Sequence, residues 1–109
     1  MSIATIFAQT CEQFGLPKPV AEFKWHPTRK FRADYAWPEH RVLLELQGGV
    51  YTFGKHGRGS GIVKDMEKVS EASALGWLTI QILPKDLMSV KTTNYVKQAI
   101  ANRYKLNNE

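Results

Sequence analysis

Apolar residues recur along this chain with two different periods, and each change of period marks an element. From residue 2 to 14, Ile3, Ile6, Phe7 and Phe14 fall at roughly helical spacing. Ser2 or Thr5 is placed to cap that helix, and Gly15 with Pro17 ends it. "VAEFKWH" (20–26) predicts a short extended segment with Phe23 and Trp25 on one face. "FRADYAW" (31–37) alternates strictly, with Phe31, Ala33, Tyr35 and Trp37 on one side and Arg32, Asp34 and Ala36 on the other. "RVLLELQ" (41–47) also alternates: Val42, Leu44 and Leu46 against Arg41, Leu43, Glu45 and Gln47. "PEHR" between the two runs is a hairpin loop.

The glycine-dense "GGVYTFGKHGRGSG" (48–61) predicts a long loop. Helical spacing returns at 62–76, where Ile62, Met66, Val69 and Ser73 share a stripe and Gly76 is a natural cap. Residues 77–83 predict a strand halted by Pro84, and 92–105 a last helix capped by Thr93 or Asn94. The fold class expected is α/β: one domain over 1–109, a central mixed β-sheet with a hairpin carrying two acids, flanked by α-helices.

Composition narrows the classes of function. Hydrophobic residues at 43% and charged ones at 23% mark a globular chain, not a disordered one. Fifteen Lys and Arg against ten Asp and Glu leave a net charge of +5, which favours an anionic partner, nucleic acid or an acidic membrane surface. The single Cys11 excludes an internal disulfide and a Cys-rich zinc site. No signal peptide is read in "MSIATIFAQTCEQFG", and no apolar run approaches the ~20 residues of a membrane span. The expected home is the cytoplasm, with no membrane partner.

The acids inside the two strand patterns carry the chemistry. If Trp37 pairs with Val42, Asp34 falls opposite Glu45 and Arg32 opposite Gln47. A slip of one residue would scramble both faces, so burial favours that register. Directly opposed like charges are destabilising in a sheet. A neighbouring cation (Arg32 or Arg41 locally), a raised pKa on one acid, or a divalent metal between them would each offset the repulsion.

Asp34, then Glu45-Leu46-Gln47 at the ends of a hairpin, followed by a helix and a strand, resembles the PD-(D/E)XK nuclease superfamily. The wider run "RKFRADYAWPEHRVLLELQGGVYTFGKHGRG", with "DMEK" (65–68) and "ALGW" (74–77), is similar to small phage and bacterial nuclease-like proteins of that class and to very-short-patch-repair-type endonucleases. The likeness spans residues 22–84. It implies a restriction-endonuclease-like core, with Asp34, Glu45 and the Leu46 carbonyl holding Mg²⁺ or Mn²⁺. Position 47 departs from the pattern: Gln stands where the superfamily usually has Lys. An amide orients a water but supplies no positive charge. Lys68 is the candidate replacement, because Lys64, Asp65, Lys68 and Ala72 share one face of the 62–76 helix.

The catalytic set expected is therefore Asp34, Glu45, Gln47 and Lys68. DNA contacts fall to Arg29, Lys30, Arg32, Lys55, His56, Arg58 and Lys64, with His56 also suited to acid–base work. Arg103 and Lys105 add basic charge near the end of the sequence. His26 and His40 are expected to face solvent, Trp37 and Trp77 to lie in the core. Glu22 is read as a surface acid or an extra ligand, and a contribution from Asp65 stays open. The function expected is a metal-dependent DNA endonuclease of a phage or mobile element, selective for branched, nicked or single-stranded DNA, with a resolvase-like homodimer as one arrangement. The alternative is a non-catalytic nucleic-acid-binding module of the same fold, which Gln47 favours. A third reading is a small adaptor whose acids are merely salt-bridged.

Overall fold

A computed structural model describes residues 1–48 and 58–108. The chain runs α1 (Ile3–Gln13), β1 (Val20–Lys24), β2 (Arg32–Trp37), β3 (Val42–Leu46), α2 (Arg58–Ala74), β4 (Leu78–Ile82) and α3 (Val90–Asn108). One sheet orders its strands β1-β2-β3-β4. The first three form an antiparallel meander, and β4 returns parallel to β3 after the α2 crossover. The fold is mixed α/β, as expected. No helix among the described residues is long and apolar enough to cross a membrane.

Two clusters of buried side chains lie on the two faces of the sheet. Phe7 and Cys11 of α1 and Val96 of α3 pack on Tyr35, Trp37, Val42, Leu44 and Ile82. On the other face, Ala72 of α2 packs with Trp25, Ala36, Leu43 and Trp77. Phe7 is fully buried, a contribution of about 1.5–3 kcal/mol for a side chain of this kind. Burial pushes the Cys11 thiol up to about 11, so it behaves as a small apolar core residue.

The helices dock by narrower stripes than their hydrophobic spacing predicts. α1 buries Phe7 and Cys11, while Ile3 is 64% exposed and Ile6 39%. The stripe expected on α2 is also turned outward: Ile62, Met66 and Val69 are exposed, and the inward face carries Lys68 and Ala72. A small residue there lets the helix approach the two tryptophans beneath it. α2 also begins earlier than expected. Residues 58–61 are helical and not loop, because glycine costs a helix only ~1 kcal/mol per residue. Residues 49–57 of the expected loop lie outside the described residues.

Caps also differ in detail. Ser2 caps α1 by accepting from the Thr5 amide at 3.1 Å. α3 starts at Val90, with the Ser89 hydroxyl accepting from the Thr92 amide, so neither Thr93 nor Asn94 is the cap. Thr92 and Thr93 are buried instead. Gly76 ends α2 with φ +84°, and a Cβ there would meet only the Arg41 Nε at an ordinary 3.9 Å. Gly76→Ala is therefore expected to lower stability by about 1 kcal/mol through backbone strain alone. A shift in the urea midpoint with unchanged slope checks this.

Candidate active site

The hairpin positions the site. Its register is the one burial demands, with Trp37 opposite Val42, Ala36 opposite Leu43 and Tyr35 opposite Leu44. Pro38–His40 form a tight turn, and Arg41 closes it in the left-handed region at φ 55°. The Arg41 guanidinium holds that conformation by donating to the Leu75 carbonyl and lying 4.4 Å over the Trp77 ring. Arg103 ties α3 to the same corner through the carbonyls of His40 and Gly76. Its role there is structural.

One step beyond Tyr35 and Leu44 the two strands part. β2 stays paired with β1, Ala33 opposite Phe23 and Arg32 opposite Lys24. β3 stays paired with β4, Glu45 opposite Gln81 and Leu46 opposite Ile82. The ladder between β2 and β3 therefore ends before Asp34 and Glu45 face each other and contains no Arg32–Gln47 pair. In the fork, the Asp34 carboxylate accepts from the Leu46 amide at 2.7 Å. A side chain thus does what a strand carbonyl does elsewhere in the ladder.

The distortion extends to the edge strand. Glu22, level with Asp34 between two regular stretches of the β1–β2 register, has φ 53°. A left-handed residue inside a strand costs about 1–2 kcal/mol, and such outliers gather at functional sites. One consequence corrects the alternation expected for 31–37. Ala33 packs with Trp25, Ala36 and Leu43, not with Tyr35 and Trp37, because the inward side of β2 changes at Asp34.

Glu45 is 7% exposed on the α2 face of β3. The Lys68 ammonium from α2 meets its Oε1 at 2.5 Å. Burial pushes the Glu45 carboxyl above its ordinary range, the hydrogen bond and charge of Lys68 pull it down, and the charges of Asp34 and Asp65 push it up again. The cation that offsets the paired acids is thus Lys68. Arg41 is engaged elsewhere, and Arg32 stands 3.8 Å from the exposed Glu22. Gln47 is half-buried where β3 ends, its backbone N–H donating to the Ile82 carbonyl at 2.8 Å. Asp34, Glu45, Leu46 and Lys68 are brought together, with Gln47 beside them and Asp65 near enough to act on Glu45.

The expected DNA contacts divide. Lys30 and Lys64 are exposed. Arg29 is held by Glu67 of α2 at 2.5 Å and lies 4.5 Å over the Phe31 ring. Trp25 is buried and stacks on Phe31, so neither ring is a free platform for a base. Arg58 opens α2. Lys55 and His56 lie outside the described residues.

His26 is a correction. Its side chain is 8% exposed, and Nε2 meets Glu71 Oε1 at 2.5 Å. Nδ1 accepts from the amides of Thr28 and Arg29, which places the ring proton on Nε2, donating to Glu71. The turn at Pro27–Arg29 has two amides to satisfy, and a histidine at its start satisfies both. His40 is half-buried, also short of the solvent-facing position expected. The sequence signal for Glu67 and Glu71 was their i, i+4 spacing on α2, which has no meaning until the 26–31 segment lies across that helix.

No family model, curated protein or solved structure matches this chain. Among the described residues, no group of three or more His, Cys, Asp or Glu side chains is arranged to hold a metal ion.

Proposed function

We propose that this chain is a metal-dependent DNA endonuclease of the PD-(D/E)XK type, with a restriction-endonuclease-like core. One observation carries the proposal: the sheet forks at the two acids of the hairpin, and α2 lays Lys68 onto Glu45 in the fork. A hairpin followed by a helix and a strand is also the order the sequence resemblance implies. A structural ion pair needs neither the second acid nor the interrupted ladder.

The donor set suits a hard cation. Two carboxylates and a carbonyl are oxygen ligands, and Mg²⁺ is commonly held by one or two carboxylates while keeping several waters. Asp34, Glu45 and the Leu46 carbonyl would hold Mg²⁺ or Mn²⁺, which lowers the pKa of a bound water and neutralises charge on the scissile phosphate. Asp34 is fixed by the Leu46 amide, so it presents its carboxylate without rearrangement. Lys68 offsets the charge of Glu45, and its ammonium would steady charge building on the phosphate. Gln47 orients the attacking water through its amide.

Cleavage of labelled single strands, duplex, nicked duplex and four-way junctions in Mg²⁺ or Mn²⁺ tests the proposal. Cutting of at least one substrate that stops with a chelator is expected. If every substrate stays intact while DNA is still bound, the second reading stands: a nucleic-acid-binding module of the same fold. Gln47 in place of a lysine is what favours it.

A further inference from the structure

Beside Lys68 lies a small, half-open pocket of ≈10 Å³, lined by Trp25, Leu43, Glu45, Lys68, Ala72 and Thr79 among others. Trp25 is 6% exposed, and its Nε1–H is buried with no hydrogen-bond acceptor among the described residues. Burying such a donor unpaired costs about 1–3 kcal/mol, so a fold that keeps it there needs a partner for it. A pocket of this volume holds one water, provided that two to four polar groups reach it. Four of the lining residues carry polar groups: Trp25 its indole N–H, Thr79 a hydroxyl, Glu45 a carboxylate and Lys68 the ammonium that Glu45 already engages. Thr79 sits opposite Leu43 in the parallel ladder, two residues before Gln81 opposite Glu45, so its side chain is on the Glu45 side of the sheet.

We propose that this pocket is a binding site for a single buried water that joins Trp25 Nε1, the Thr79 hydroxyl and the Glu45 carboxylate. Trp25 and Thr79 are then positioning residues. Through the water they hold the carboxylate in place beside Lys68. Both residues lie outside the motif that drew attention to Glu45, and neither touches Asp34 in the register of the sheet.

The pocket's occupancy is read on the metal-free, DNA-free protein, so it stands or fails separately from the nuclease proposal. Water-selective NOE spectra of ¹⁵N-labelled protein are expected to show a cross-peak from the Trp25 indole proton to a long-lived water. The cross-peak is expected to vanish in Thr79→Val and to return in Thr79→Ser. In parallel, urea unfolding of Trp25→Phe, Thr79→Val and the double variant forms a thermodynamic cycle. Sharing one water predicts non-additivity of roughly twofold or more in the unfolding equilibrium constant. An indole proton with no water contact, or a cross-peak unchanged in Thr79→Val, overturns the proposal. So does additivity in the cycle. If Trp25→Phe fails to fold, the Thr79 pair still decides the matter.

Discussion

Asp34→Asn and Glu45→Gln are each expected to lose the proposed metal-dependent cleavage, by at least about 10²-fold, yet to move stability in opposite directions. Asp34 accepts from the Leu46 amide in a part-buried fork. An amide side chain keeps an acceptor there but weakens a charge-assisted bond, so a loss of order 1 kcal/mol is expected. Glu45 is different. Its carboxyl is raised above the ordinary 4.5, burial being the largest cause, despite the opposing pull of Lys68. A carboxyl that holds its proton more tightly when folded stabilises the fold below its unfolded pKa. That contribution is lost as pH rises through the folded pKa. Glutamine does not titrate. Glu45→Gln therefore gains on the wild type as pH rises from acid to neutral, and the gain disappears in acid. One kcal/mol moves the Tm of a domain this size by about 4 °C. Thermal melts of both proteins between about pH 4 and 8 read the crossing. A wild type that is the more stable at neutral pH would show that Lys68 outweighs burial. Stability given up at a buried acid is the usual mark of a site kept for chemistry.

Lys68→Met is expected to be the most damaging single change in the site. It leaves a carboxylate that is 7% exposed facing the negative charges of Asp34 and Asp65 with its cation gone. Removing one partner of a buried pair costs up to about 3–5 kcal/mol. Protonation of Glu45 caps the loss, so it should be largest at neutral pH and shrink in acid. The double variant Glu45→Gln/Lys68→Met carries no stranded charge and is expected to recover most of the stability while remaining inactive. Urea titrations at two pH values separate these outcomes. If Lys68→Met alone is neutral, the pair is a surface-like contact and Lys68 acts only on substrate.

Much of the frame was legible along the chain because burial is periodic. Alternation identified both hairpin strands and their register, since a one-residue slip would have exposed Val42 and Leu44. It failed at Ala33, where alternation assumes a regular strand and the Asp34 carboxylate interrupts one. Helical spacing located α2 but chose the wrong face. Ile62, Met66 and Val69 are the more apolar stripe, yet what packs on Trp25 and Trp77 must be small, and Ala72 is. The start of α2 was hidden by its glycines, whose cost a helix can carry.

For the site, the sequence by itself determined which acids lie on the hairpin and that Lys68 shares a helix face with Ala72, because local periodicity sets side-chain direction. Only the tertiary structure decided what those directions meet. It laid α2 so that Lys68 reaches Glu45, drew Arg29 and His26 onto Glu67 and Glu71, and brought Trp25 and Thr79 to one pocket beside the site. Each of these joins residues remote in sequence. The charge of a residue is written in the chain, but its partner depends on how closely two elements pack, and that is set by the whole core at once.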